Sequence, residues 1–182
     1  MKKPFLFLCL TLLTLILFRG FLFRQLISYH EIGQRKAINI THPKLIKCID
    51  AQLHNQQMDI KEIARIANKV TTQELRFTAK KVSQNPNDLI NSHQANCVGY
   101  ASMFNTIATH LIKKNGLEKE LVAQHKIGHL YLLGFNLHSF FKSPFFMDHD
   151  FNQIIHLKTK EVIAIDPTVS DYLWINCITT TN

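Results

Sequence analysis

The chain begins with a stretch that is apolar on every side and then changes character. After Met1-Lys2-Lys3, positions Pro4 to Phe18 run for fifteen residues without a charge, mostly Leu, Phe, Ile and Thr. Arg19-Gly20 interrupts the run, and Phe21-Leu22-Phe23 carries it on to Arg24. A helix buried in a soluble domain shows an apolar stripe, not an apolar circumference. Two readings stand. Taken to Phe18, the uncharged core has signal-peptide length; taken to Phe23, with Arg19 snorkelling toward the headgroups, it is about long enough to span a bilayer. No small-x-small cleavage site follows, so residues 1–24 are assigned as an uncleaved signal anchor, with Cys9 as one more apolar residue within it. Lys2 and Lys3 hold the N-terminus inside, whereas Arg19, Arg24, Arg35 and Lys36 pull the other way. The expectation is a single-pass membrane protein with its domain on the extracytoplasmic side.

Beyond the anchor, residues 25–40 read as a polar stalk, and 41–178 as the folded domain. Pro43 opens a helix to about Leu53, with Leu45, Ile46, Ile49 and Leu53 on one face. Asp59 followed three residues later by Glu62 is a capping-box pattern, and Ile60, Ile63, Ile66, Ala67 and Val70 form the stripe behind it. Thr72 to Val82 is a candidate continuation, and Asn85-Pro86-Asn87-Asp88 reads as a turn. From Val98 to Lys114, Tyr100, Ala101, Phe104, Ile107, Ala108, Leu111 and Ile112 recur at helical spacing until Asn115-Gly116. The pattern then becomes strand-like. Leu121 to Ala123, Phe151 to Leu157 and Val162 to Ile165 are candidate strands, the last two joined by a turn at Lys158-Thr159-Lys160. Between them, Leu130 to Phe146 is unusually aromatic, with Tyr131, Phe135, Phe140, Phe141, Phe145 and Phe146, and reads as an insertion. A lid, a membrane-lying surface and ordinary core packing all fit it.

Composition sharpens this. Hydrophobic residues at 46% support a real core, and charged residues at 19% are too few for a disordered chain. The net charge of +8 invites a polyanion until it is located. Residues 1–47 hold eight bases against Glu31, a net +7, whereas residues 48–182 hold thirteen bases against twelve acids, a net +1. The excess belongs to the N-terminal segment, which argues against a nucleic-acid partner. Cys48 and Cys177 are either one disulfide or two ordinary thiols. Asn39-Ile40-Thr41 has the form of a glycosylation acceptor.

The candidate chemistry lies in three short segments. Asn96-Cys97-Val98-Gly99-Tyr100-Ala101 puts a thiol at the start of the long helix, where unpaired backbone N–H groups and the helix dipole favour a thiolate and could hold an oxyanion. Small Gly99 and Ala101 suggest close packing there. Asp148-His149-Asp150-Phe151-Asn152 opens one strand and Asp166-Pro167-Thr168 closes the next. In the first, His149, Phe151 and Gln153 share one face, and Asp150, Asn152 and Ile154 the other. If the two strands are antiparallel neighbours, His149 comes beside Asp166. Thiol, imidazole and carboxylate are the parts of an activated cysteine.

Together the three motifs, over about Asn91 to Tyr172, resemble the transglutaminase-like superfamily of papain-like cysteine enzymes, here as a bacterial-type, membrane-anchored member. The resemblance rests on a cysteine opening a helix before Tyr100-Ala101, a histidine before Phe151-Asn152, and Asp166-Pro167-Thr168. It implies an α+β fold with the nucleophile at a helix N-terminus, packed on a small antiparallel sheet and preceded by helices. It also implies that Cys97 is the nucleophile, His149 the general base and then acid, and Asp166 the group that orients the imidazole. Gln94 is the candidate oxyanion donor. Val98 stands where animal transglutaminases have Trp, so crosslinking is not inherited, and Phe151 stands where many relatives have Trp.

The expected function is that of a thiol hydrolase, a peptidase or amidase working through an acyl-thioester on a peptide or protein substrate. The alternatives are a protein-glutamine acyltransferase and a catalytically silent binding module. No cofactor or metal is expected: His125 and His129 have the spacing of a helical metal pair, but Gly128 weakens that helix and no third ligand is evident.

Overall fold

The computed structural model describes residues 2–53, 57–143 and 147–181. Helix α1 (Lys2–Leu26) runs straight into strand β1 (Ile27–Arg35), and helices α2 (Pro43–Asp50) and α3 (Ile60–Glu74) follow. A short strand β2 (Arg76–Phe77), helix α4 (Pro86–Ser92) and short strand β3 (Gln94–Ala95) lead to the long helix α5 (Cys97–Lys114). Strands β4 (Leu121–Leu132) and β5 (Phe135–Asn136), a single 3-10 turn (Leu137–Phe140), and strands β6 (His149–His156) and β7 (Val162–Ile165) come next, before helix α6 (Pro167–Leu173) and strand β8 (Thr179–Thr181).

The sheet runs in the order β7-β6-β4-β1-β8, with β5 paired to β4. The fold is α+β. Its sheet is mixed rather than purely antiparallel, because β8 returns parallel to β1, pairing Ser28 with Thr179. β6 and β7 are antiparallel neighbours across the Lys158-Thr159-Lys160 turn, with Asn152 opposite Ile165. That register carries His149 to the end of the sheet at which β7 delivers Asp166.

Residues 25–40 are not a stalk: Ile27–Arg35 is an interior strand, flanked by β4 and β8. Its pairing with β4 is broken by one extra residue between Glu31 and Gly33. Ile32 is that residue, and it is exposed. A bulge of this kind shifts the two-residue alternation by one. Tyr29 therefore faces the side of the sheet where Phe151 lies, while Arg35, six positions on, pairs across to His125 on the opposite face.

The main core lies between α5 and the helices and sheet around it. Tyr100, Met103, Phe104, Ile107 and Leu111 of α5 are fully buried among Ile63, Ile66 and Val70 of α3, Leu89 and Ile90 of α4, and Ile154 of β6. Each such side chain contributes about 1.5–3 kcal/mol on leaving water. On the other face of the sheet, Tyr29, Phe151, Ala164 and Ile178 form a second, smaller cluster that Phe23 of α1 joins.

Local chemistry explains most boundaries. Asp59 caps α3 by accepting from the Glu62 amide at 2.8 Å. α3 stops at Glu74 instead of continuing toward Val82, and the chain turns extended to pair Arg76 with Gln94. Asn85-Pro86 begins helix α4 rather than a simple turn, with the Asn85 side chain as cap and proline in the first turn, where its missing N–H costs nothing. Cys48 and Cys177 are both free thiols, one half-buried and one exposed.

Candidate active site

Asn96 sets the geometry of the thiol. Its side chain accepts from the Gly99 amide at 3.1 Å and its carbonyl from Tyr100, closing the first turn of α5. The amides of Cys97 and Val98, the first in the helix, have no carbonyl one turn back to bond. Gly99 is required by packing: a Cβ there would sit 2.8 Å from the Ala95 Cβ and 3.1 Å from a Leu89 methyl. The helix start is thus pressed onto β3 and α4, and Cys97 is held nearly buried, 9% exposed.

His149, Asp166 and Cys97 meet at this point. His149 Nε2 lies 2.6 Å from Asp166 Oδ2, and His149 and Cys97 line the same cavity, close enough for the sulfur to help raise the imidazole pKa. With Nε2 taken by Asp166, Nδ1 is the ring nitrogen left to exchange a proton with a thiol. Asp166 is wholly buried. Its Oδ1 caps α6 by accepting from the amides of Thr168 (2.9 Å) and Val169 (3.2 Å), which Pro167 at the helix start leaves as the nearest donors. Its Oδ2 accepts a second bond, at 2.8 Å, from the hydroxyl of Tyr29.

Burial alone would push the His149 pKa down, but the charge and hydrogen bond of Asp166, with help from Cys97, carry it well above that of a free imidazole. Asp166 is the converse. Burial would raise its pKa, and His149, Tyr29 and the Val169 amide hold it below the usual carboxylate range. Desolvation and the Asp166 charge drive the Tyr29 phenol well up, so it stays a donor. The arrangement is an imidazole held by a buried carboxylate that favours its protonated form, beside a thiol in the same cavity.

No protein-family model, curated protein or solved structure matches the chain. What the site can do is therefore read from its own atoms.

A cavity of about 290 Å³ opens on Cys97 and His149. Phe77, Leu130, Leu137 and Phe141 make most of its wall apolar, with Asp148, His138 and Thr168 supplying polar groups. It lies at the small end of ligand pockets. The aromatic segment after Leu130 thus contributes directly to the site through Leu137, His138 and Phe141. Phe135 and Phe140 are largely exposed, and Phe145 and Phe146 lie outside the described residues.

A second buried carboxylate lies on the other face of the sheet. Asp150 accepts from Arg35 Nε at 2.5 Å and pairs with His125 Nε2 at 2.6 Å. Burial would raise its pKa; His125 and Arg35 reverse this and lower it. That hydrogen bond to Asp150 is also the main reason the Arg35 pKa is raised.

The structure brings Cys97, His149 and Asp166 together. Gln94 is exposed on β3 and is not among the described residues lining the cavity. His125 and His129 are turned to different partners, Asp150 for one and the His138 ring, 5.5 Å away, for the other. Tyr29 and Arg35 are the residues that sequence reasoning missed. Both belong to β1, whose bulge disguises the strand.

Proposed function

We propose that the chain is a membrane-anchored thiol hydrolase that cleaves amide bonds through an acyl-thioester on Cys97. The reading rests above all on one observation: His149, its ring paired with the Asp166 carboxylate at 2.6 Å, lines the same mainly apolar cavity as Cys97. Asp166 holds the Nε2–H and fixes the ring, and Nδ1 exchanges a proton with the sulfur. The thiolate attacks the amide carbonyl carbon, and the oxyanion that forms accepts from the backbone N–H groups of Cys97 and Val98 at the start of α5. Collapse breaks the C–N bond as His149 Nδ1 gives its proton to the leaving nitrogen. Water then gives a proton to the same nitrogen and its oxygen to the thioester, releasing a carboxylic acid and restoring the thiolate–imidazolium pair.

The cavity fits one apolar side chain or a short acyl group next to the scissile carbonyl. The motifs resemble the transglutaminase-like superfamily, and the catalytic roles follow that resemblance. Helix α1 is long and apolar enough to span a membrane; with Lys2 and Lys3 at its N-terminal end, it anchors the domain on the extracytoplasmic side.

The test is hydrolysis of a library of peptide amides and anilides by the full chain in detergent. Cys97→Ala should lower kcat/KM by about 10⁴-fold or more, with Tm unchanged within a few degrees. Full activity in that variant would end the assignment. So would iodoacetamide labelling of native Cys97 at about pH 6 no faster than that of denatured cysteines.

A further inference from the structure

The C-terminal part of α1 is held against the domain. Arg19 Nε donates to the Leu173 carbonyl at 2.8 Å, and its guanidinium stands 5.6 Å from the centroid of the Trp174 ring. Thr179 Oγ1 donates to the Arg24 carbonyl at 2.9 Å. The domain therefore meets α1 at Arg19, and only the uncharged run Pro4 to Phe18 is left for hydrocarbon. Fifteen helical residues reach about 22 Å, short of a ~30 Å core. The mismatch draws the headgroup layer to the level of Arg19. Trp174, 70% exposed beside it, has the amphipathic ring that favours this depth.

At the same level lies a cavity of about 580 Å³ walled by Arg19 and Trp174 on one side and by α3 on the other. α3 contributes Lys61, Arg65 and Lys69, spaced four apart and so stacked on one face. Like charges at this spacing oppose the helix. Glu62 pairs with Arg65 at 2.5 Å, and no carboxylate is found among the described lining residues. Between the cations, the buried Oδ1 of Asn68 has no hydrogen-bond partner among the described residues, while its Nδ2 donates to Ser170 at 2.6 Å. A site with several cations and one buried acceptor calls for an anion that also carries a hydroxyl.

We propose that this cavity binds the headgroup of an anionic glycerophospholipid, the phosphodiester against Arg19, Lys61 and Lys69 and a headgroup hydroxyl donating to Asn68. The inference rests on α1 as a membrane anchor and is independent of the chemistry at Cys97. The lipid would clamp the domain flat on the bilayer.

Native mass spectrometry of the full chain in detergent micelles, titrated with dihexanoylphosphatidylglycerol, dihexanoylphosphatidylcholine or inorganic phosphate, tests it. A single phosphatidylglycerol adduct is expected, preferred about tenfold or more over the zwitterion. The Lys61→Ala/Lys69→Ala variant, with its Tm checked, should bind it about 30-fold more weakly, near fivefold for each lysine. Asn68→Leu should weaken phosphatidylglycerol but leave a methyl-esterified phosphatidic acid, which lacks the hydroxyl, unchanged. Equal retention of the two lipids, an unchanged double variant, or inorganic phosphate binding as tightly as the lipid would each overturn the proposal. Alkaline carbonate extraction of membranes reports on the anchor separately: release of the chain there, with selective binding kept in micelles, would reject the anchor and leave the cavity.

Discussion

Tyr29 shows how much one side chain can decide. It is fully buried, stacks edge-on against His149 and Phe151, and gives its only hydroxyl proton to Asp166. A hydrogen bond to a charged group contributes about 1.5–3 kcal/mol. Tyr29→Phe keeps the ring and removes that bond alone. The loss depends on pH in a defined sense. The bond favours ionised Asp166, whose folded pKa is depressed, so its contribution is present above the unfolded carboxylate pKa and fades as pH falls through the folded value. Urea titrations should show Tyr29→Phe less stable by about 1.5–3 kcal/mol near pH 7 and by progressively less in acid, as pH falls through the folded Asp166 value. An equal deficit across that range would mean that packing, and not the hydrogen bond, was disturbed.

At the scale of elements, the bulge in β1 deserves the same treatment. One strand serves two buried carboxylates on opposite faces, Asp166 through Tyr29 and Asp150 through Arg35. Strict alternation would put residues 29 and 35 on the same face, and the inserted Ile32 is what separates them. Deleting Ile32 should therefore forfeit one partnership. If Arg35 turns away, buried Asp150 keeps only His125 and the fold loses about 3 kcal/mol. If Tyr29 turns away, the deficit should match Tyr29→Phe, with hydrolysis reduced. A deletion variant as stable and active as the parent would show that the bulge is incidental. The same bulge explains why residues 25–40 look like a stalk: Ile-Ser-Tyr-His-Glu-Ile-Gly-Gln-Arg holds no clean period of two, and polar residues hide its interior place. β4 is obscured likewise, since His125 and Lys126 are buried only because Asp150 and Glu31 answer them. What was legible was local. The Asp59 cap, the helix start at Cys97, the 3.6-residue stripe of α5 and the turn between β6 and β7 each depend on neighbours in sequence, and together they suffice to unite Cys97, His149 and Asp166. Partners arriving from β1 depend on register, which no short motif encodes.

Over the whole molecule, Asp150, Asp166 and His149, three of the shifted groups at the two buried clusters, set opposite limits on the pH range. Asp150 and Asp166 have depressed pKa values, so the stability they supply is complete above the unfolded carboxylate value, about 3.9, and is lost as acid protonates them. His149 has a raised pKa, so its contribution is complete below about 6.5 and is lost as pH rises through the folded value. The protein should be most stable between those bounds and should unfold cooperatively in acid, because two carboxylates on either face of one sheet fail over the same range. Asp150→Asn separates them. It should cost about 1–3 kcal/mol near pH 7, where the ionised carboxylate binds Arg35 and His125, and it should flatten the acid limb of urea midpoint against pH without moving the alkaline one. Hydrolysis should follow the other cluster: the alkaline limb of kcat/KM should lie above the pKa of free imidazole, since Asp166 retains the proton on His149, and Asp150→Asn should leave that limb in place. An alkaline limb at the ordinary imidazole value, with hydrolysis intact, would mean that Asp166 does not hold the ring charged, and the pairing on which the catalytic assignment depends would have to be given up.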